Sequence, residues 1–86
     1  MKTKTLKLVN NWNITLHEKY SLFVDVESQN KFSIIDSEND GLAIFSVEEN
    51  FVEFHQSAYN FNHKIDFSTR TVIIDHKPYD EEEENA

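Results

Sequence analysis

Cysteine is absent from this 86-residue chain, and glycine, proline, methionine and tryptophan occur once each. Without cysteine there is no disulfide framework and no thiolate site for metal or nucleophilic chemistry, so a packed core must hold the chain together. A single glycine excludes the glycine-rich phosphate loop, and with it nucleotide chemistry of the P-loop or Rossmann kind. No apolar run is long enough to cross a bilayer as a helix, and no basic-then-apolar leader opens the chain. An intracellular setting without membrane is therefore expected. Basic residues are also scarce: eight Lys and Arg stand against sixteen Asp and Glu, a formal net charge of -8. The one basic cluster, Lys2, Lys4 and Lys7, is small, so repulsion from phosphate opposes direct binding of nucleic acid.

What the chain has in quantity is aromatic and acidic side chains. Seven Phe, three Tyr and one Trp can each bury a large apolar area, as a domain near the lower size limit for a disulfide-free core requires. The negative charge is unevenly placed. Residues 20–63 carry Asp25, Glu27, Asp36, Glu38, Asp40, Glu48, Glu49 and Glu53 against Lys31 alone. Residues 80–86 add five more carboxylates and no apolar residue except the terminal alanine, so 1–79 reads as one domain and 80–86 as a disordered acidic tail.

Residues 46–61 show the strongest local pattern. Val47, Phe51, Phe54, Ala58 and Phe61 recur at spacings of four and three, which lines one face of a helix. Ser46 and Glu49 form an S-x-x-E capping box, and Glu48 and Glu49 put negative charge in the first turn. A helix over about 47–61 is expected. Elsewhere the period is two. Leu6 and Leu8 alternate with lysines, and Trp12, Ile14 and Leu16 alternate next; pairing Leu8 with Trp12 and Leu6 with Ile14 keeps both sets on one face through a three-residue loop, Val9-Asn10-Asn11. Tyr20, Leu22, Val24 and Val26 share one strand face, and Phe32 and Ile34 point inward from the next strand. Ser37-Glu38-Asn39-Asp40-Gly41 is a turn in which Gly41 is expected to supply a positive φ. Leu42 to Phe45 is an apolar, central strand, and Ser68-Thr69-Arg70 joins a closing hairpin. Lys77-Pro78 ends regular structure. The expected fold is α+β: an antiparallel sheet of about five to seven short strands with the helix packed on one face.

No constellation points to catalysis. Asp75-His76 and Asp36-Ser37 hold suitable residue types, but neighbours on a strand point to opposite faces. On the expected helix His55 and His63 would project roughly 80° apart, a poor chelating pair, so neither a metal nor another cofactor is expected. The carboxylates carry the functional signal. Asp25 and Glu27 lie two apart on a strand, and Asp36, Glu38 and Asp40 repeat that step. Same-face strand residues are spaced about 6.6 Å, a row that can imitate a line of phosphates. Glu48, Glu49 and Glu53 extend the row onto the helix.

In size, acidity, lack of cysteine and lack of an active-site motif, the chain resembles the small inhibitors that bacteriophages make against host nucleic-acid machinery, including anti-CRISPR and DNA-mimicking anti-restriction proteins. Its Lys, Asn, Ile and Glu usage is similar to that of proteins from AT-rich bacteria and their phages. The resemblance implies a stoichiometric, non-enzymatic binder in the bacterial cytoplasm that occupies the basic groove of a nuclease, CRISPR effector or restriction enzyme. The residues expected to bind are Asp25, Glu27, Asp36, Glu38, Asp40, Glu48, Glu49 and Glu53. The alternatives are an immunity protein that caps a cationic toxin, and a small metal- or ligand-binding domain using His55, His63 or His76.

Overall fold

A computed structural model describes residues 2–78. It is all-β, with eight strands: β1 (Thr3–Lys7), β2 (Asn13–His17), β3 (Ser21–Val24), β4 (Lys31–Ile35), β5 (Gly41–Val47), β6 (Val52–Ser57), β7 (His63–Asp66) and β8 (Thr71–Ile74). They form two four-stranded sheets, ordered β1-β2-β8-β7 and β3-β4-β5-β6. Every pairing is antiparallel except β2 with β8, where Asn13, Ile14 and Thr15 face Thr71, Val72 and Ile73. Parallel neighbours need a long crossover. Here the whole second sheet is that crossover, inserted between the opening and closing hairpins.

One core lies between the sheets. Trp12, Ile14, Leu16, Val72 and Ile74 from the first meet Phe32, Ile34, Ala43, Phe45, Val47 and Val52 from the second, with Tyr20 and Phe61 joining them. This is the sandwich arrangement, in which two inner faces interdigitate across about 10 Å. The inward alternation read from the sequence for β2 and β4 matches the burial of these residues. The opening hairpin also has the expected register: Leu6 faces Ile14, the Leu8 N–H donates to the Trp12 carbonyl, and the Trp12 N–H donates to Val9. Leu8 and Val9 thus share Trp12, a bulge that keeps the leucines on the core side. Asn10 and Asn11 absorb the turn with φ of 56° and 63°.

The expected helix and its α+β class are overturned. Val47 ends β5, residues 48–51 turn, and 52–57 are β6, with Val47 opposite Val52 and Phe45 opposite Phe54. The four-and-three spacing is shared between unrelated environments: Val47 and Phe61 are buried, Phe54 is half-buried, and Phe51 and Ala58 are exposed. Three physical reasons favour the hairpin. The segment is poor in strong helix formers, since Phe, Val, His, Tyr, Asn and Ser dominate it. Val52-Glu53-Phe54-His55 also alternates at period two with residues that suit strands. Finally, the apolar strand β5 needs a hydrogen-bonded neighbour on each side, and a capping box worth about 1 kcal/mol cannot compete with a full strand ladder. The capping residues are used otherwise. Ser46 Oγ lies 2.9 Å from His55 Nε2 across the hairpin, and Glu49 offers its backbone carbonyl to Trp12.

Gly41 corrects a second expectation. It opens β5 without a positive φ, and Asn39 takes the left-handed conformation at 67° instead. Asp36 organises that turn, its Oδ1 accepting from the N–H groups of Glu38 and Asp40 at 2.9 Å each. A Cβ added at Gly41 would meet nothing within 4 Å. Gly41→Ala should therefore stabilise the domain by about 0.4–1 kcal/mol by restricting the unfolded chain. A lower urea midpoint for this variant would contradict the strand geometry.

Residues 80–86, and with them the expected tail, lie outside the described residues.

Candidate functional site

Four connections gather at one end of the sandwich: residues 8–12, 25–30, 48–51 and 67–70. Two buried or half-buried side chains tie them together. Trp12 fills the end of the core, donates from Nε1 to the Glu49 carbonyl at 3.4 Å, and meets Phe67 edge-on at 5.8 Å. The Arg70 guanidinium lies 4.8 Å above the Trp12 ring and donates to the backbone carbonyls of Asn10 and Glu49, the former at 2.7 Å. Arg70 has a φ of 51°, a conformation that costs a non-glycine residue of order 1 kcal/mol. Its hydrogen bonds and the Asn13 N–H donated to its carbonyl at 2.8 Å hold it there. Around this pair, Asn10 Nδ2 donates to Val47 and Asn30 Nδ2 donates to Glu48 Oε1 at 3.2 Å. Loops distant in sequence become one braced surface.

That surface is both apolar and acidic. Val26 is 97% exposed, Phe67 60% and Phe51 48%. Exposed Asp25, Glu27 and Glu49 stand beside them, with half-buried Glu48, and exposed Glu53 follows one step along β6. Asp66 at the end of β7 adds a carboxylate held below its ordinary pKa, chiefly by the Ser68 hydroxyl and then by the Thr69 backbone N–H. Lys7, Lys31 and Arg70 lie at the same end, so the balance there is still negative.

Not all the expected acidic residues meet. Asp36, Glu38 and Asp40 occupy the β4–β5 turn at the opposite end, separated by the length of the seven-residue strand β5, about 20 Å at strand rise. One continuous row of eight carboxylates does not exist. Three of them are also engaged locally: Asp25 Oδ1 accepts the Glu27 N–H at 2.8 Å, Glu48 Oε1 accepts from Asn30, and Asp36 holds its turn. Sequence reasoning assigned Trp12 only to the core and missed Arg70 as a brace. A lone arginine after Ser-Thr gives no local sign of either bond, since its partners lie sixty and twenty-one residues away.

The histidines are dispersed. His55 faces Ser46, and among the described residues no carboxylate hydrogen-bonds its Nδ1, so the pair lacks the orienting acid of a nucleophilic triad. His76 lies between Tyr20 and Phe61, while Asp75 turns away toward Lys64 at 3.9 Å. Among the described residues no group of three His, Asp or Glu side chains is placed to hold a metal. No helix among them is long and apolar enough to cross a membrane.

His63 stacks on Phe54 with ring centroids 3.7 Å apart, and burial lowers its pKa from the ordinary 6.5. With the folded value below the unfolded one, the unfolded chain binds the proton more readily. The stability that His63 contributes is fully present above about pH 6.5 and is lost as pH falls below it. His63→Gln should flatten this slope, read from urea midpoints between about pH 8 and pH 5; an unchanged slope would place its origin elsewhere.

The fold and this loop cluster define a class: a small two-sheet β-sandwich that presents acidic and apolar side chains on braced loops at one end. No protein-family model, no curated protein and no solved structure matches the chain.

Proposed function

We propose that this chain is a non-enzymatic protein inhibitor that binds a basic, nucleic-acid-binding bacterial enzyme or effector through its loop end. The observation that carries the reading is that Asp25, Glu27, Glu48 and Glu49 share one end of the sandwich with exposed Val26, Phe51 and Phe67, on loops tied by Trp12 and Arg70. Carboxylates of this kind steer association with a cationic groove, and desolvated aromatics supply the specificity and slow dissociation. Bracing matters because loops already ordered lose less entropy on binding. The mimicry is local: a patch the width of one sandwich end replaces a short run of phosphates.

The test is capture of partners by the tagged full chain from nuclease-treated bacterial lysate at low and high salt, with identification by mass spectrometry. A basic nucleic-acid enzyme held at low salt and lost at high salt is expected. Capture only of a neutral protein indifferent to salt would overturn the reading.

A further inference from the structure

Of the four sheet edges, three carry devices that discourage strand addition. β1 bears Lys4 and Lys7, β7 bears Lys64 and Asp66, and β6 bears Glu53 and a register shift opposite Ile44 and Phe45. The fourth, β3, is protected only by its shortness: Ser21-Leu22-Phe23-Val24 contains no charge, proline or bulge, and Phe23 and Val24 are 54% and 53% exposed. Such an edge is a template for another strand.

The hydrogen-bond phase says which groups it offers. The Asp25 N–H donates to the Lys31 carbonyl at 2.9 Å, in the same register that sets Phe23 opposite Ser33. Residues 21 and 23, with the Asp25 N–H, therefore spend their backbone groups on β4. By the alternation of antiparallel ladders, Leu22 and Val24 direct theirs out of the sheet.

We infer that a second copy of this chain pairs antiparallel on β3, with Phe23 opposite Phe23 of the other copy, to make one continuous eight-stranded sheet. In that register Leu22 of each copy exchanges both backbone hydrogen bonds with Val24 of the other, four in all, using the outward groups. A shift that centres the axis on Leu22 would need the Tyr20 N–H, already donated to His17 at 3.0 Å. The side chains also match. Over the extended residues the row Ser21, Phe23, Asp25 meets its own reverse, so Ser21 comes beside Asp25 and the two phenyl rings meet as a close cross-strand pair. Parallel pairing would instead set Asp25 beside itself. The two-fold axis places the loop ends at opposite extremes of the dimer, with the β5–β6 loop of each, carrying Glu48, Glu49 and Phe51, two strands away from the shared edge.

A contact of one four-residue strand buries less than the about 1,200 Å² typical of stable complexes, so the dimer is weak and concentration-dependent. Each copy carries a charge of -8, so added salt should strengthen self-association while weakening capture of a basic partner. The two readings can thus fail separately.

Sedimentation velocity and light scattering on the full chain, from micromolar to millimolar, test the inference. Wild type should shift from monomer to dimer, more readily at high salt. Phe23→Lys and Phe23→Glu, each placing like charges opposite one another, should raise the dissociation constant at least tenfold with an unchanged circular-dichroism spectrum. Mixed in equal amounts, the two variants should associate, because the register sets lysine against glutamate. A wild type monomeric throughout, or a dimer that either variant leaves intact, would overturn it, as would failure of the mixture to associate.

Discussion

Phe45→Ala is expected to cost about 3–5 kcal/mol, against about 4–13 kcal/mol for a whole domain of this size. Phe45 is fully buried at the centre of the second sheet, with the Phe32 ring 5.5 Å away on one side and Phe54 4.9 Å away on the other. The stack continues from Phe54 to His63 on β7, so four rings run from the middle of one sheet to the edge of the other. Truncation opens a cavity that two rigid sheets cannot close, and it removes the contacts on both faces of the ring. Phe51→Ala should change stability by only about 0.5 kcal/mol, because its side chain is half in solvent. Urea unfolding of both variants checks the fold directly. Were residues 46–61 helical, Phe51 would lie on the buried stripe and its truncation would cost several kcal/mol; that outcome would refute the hairpin.

The second large effect concerns binding. Replacing Asp25, Glu27, Glu48 and Glu49 by Asn or Gln should weaken binding of a captured basic partner roughly 4- to 1,000-fold at low salt, taking about 0.2–1 kcal/mol for each exposed ion pair. The amides retain the acceptor that Asp25 gives the Glu27 N–H and the one that Glu48 gives Asn30, so the loops keep their shape. At physiological ionic strength, where the Debye length is about 8 Å, neutralising Glu38 and Asp40 about 20 Å away at the far end should change affinity by less than about threefold. Asp36 is left in place in that control because its carboxylate holds the turn. Phe51→Ala, nearly neutral for folding, should cost about 1–2 kcal/mol of binding if it is an anchor. Titration calorimetry or surface plasmon resonance across salt concentrations separates these outcomes. Equal losses from the two ends would show that net charge acts from the whole body, and the loop site would be wrong.

The candidate site was legible in its residue types and illegible in its grouping. Asp25, Glu27, Glu48 and Glu49 stand out in the chain as acidic, but so do Asp36, Glu38 and Asp40, and only strand direction separates the two sets. Phe51 illustrates the same limit. Its spacing from Val47 and Phe54 marks a buried stripe at period 3.6, and its true position in the β5–β6 connection leaves it at the surface among the carboxylates.

Where the outcome depends on a few neighbouring residues, the primary structure was sufficient. Asn10-Asn11 tolerates positive φ, so the first hairpin and its register follow from turn chemistry and the alternation of Leu6, Leu8, Trp12 and Ile14. The inward faces of β2 and β4 and the closing hairpin around Ser68-Thr69-Arg70 follow in the same way. Where the outcome depends on what a segment is packed against, only the folded chain could decide. Residues 46–61 satisfy a helical period and a strand period together, and β5, lying between β4 and β6, selected the strand by pairing its second edge. The parallel contact of β2 with β8, the brace of Arg70 on Trp12 and the split of the acidic residues between two ends all join residues far apart in sequence. Such contacts carry no local signature, because their free energy comes from surfaces that exist only once both sheets have formed.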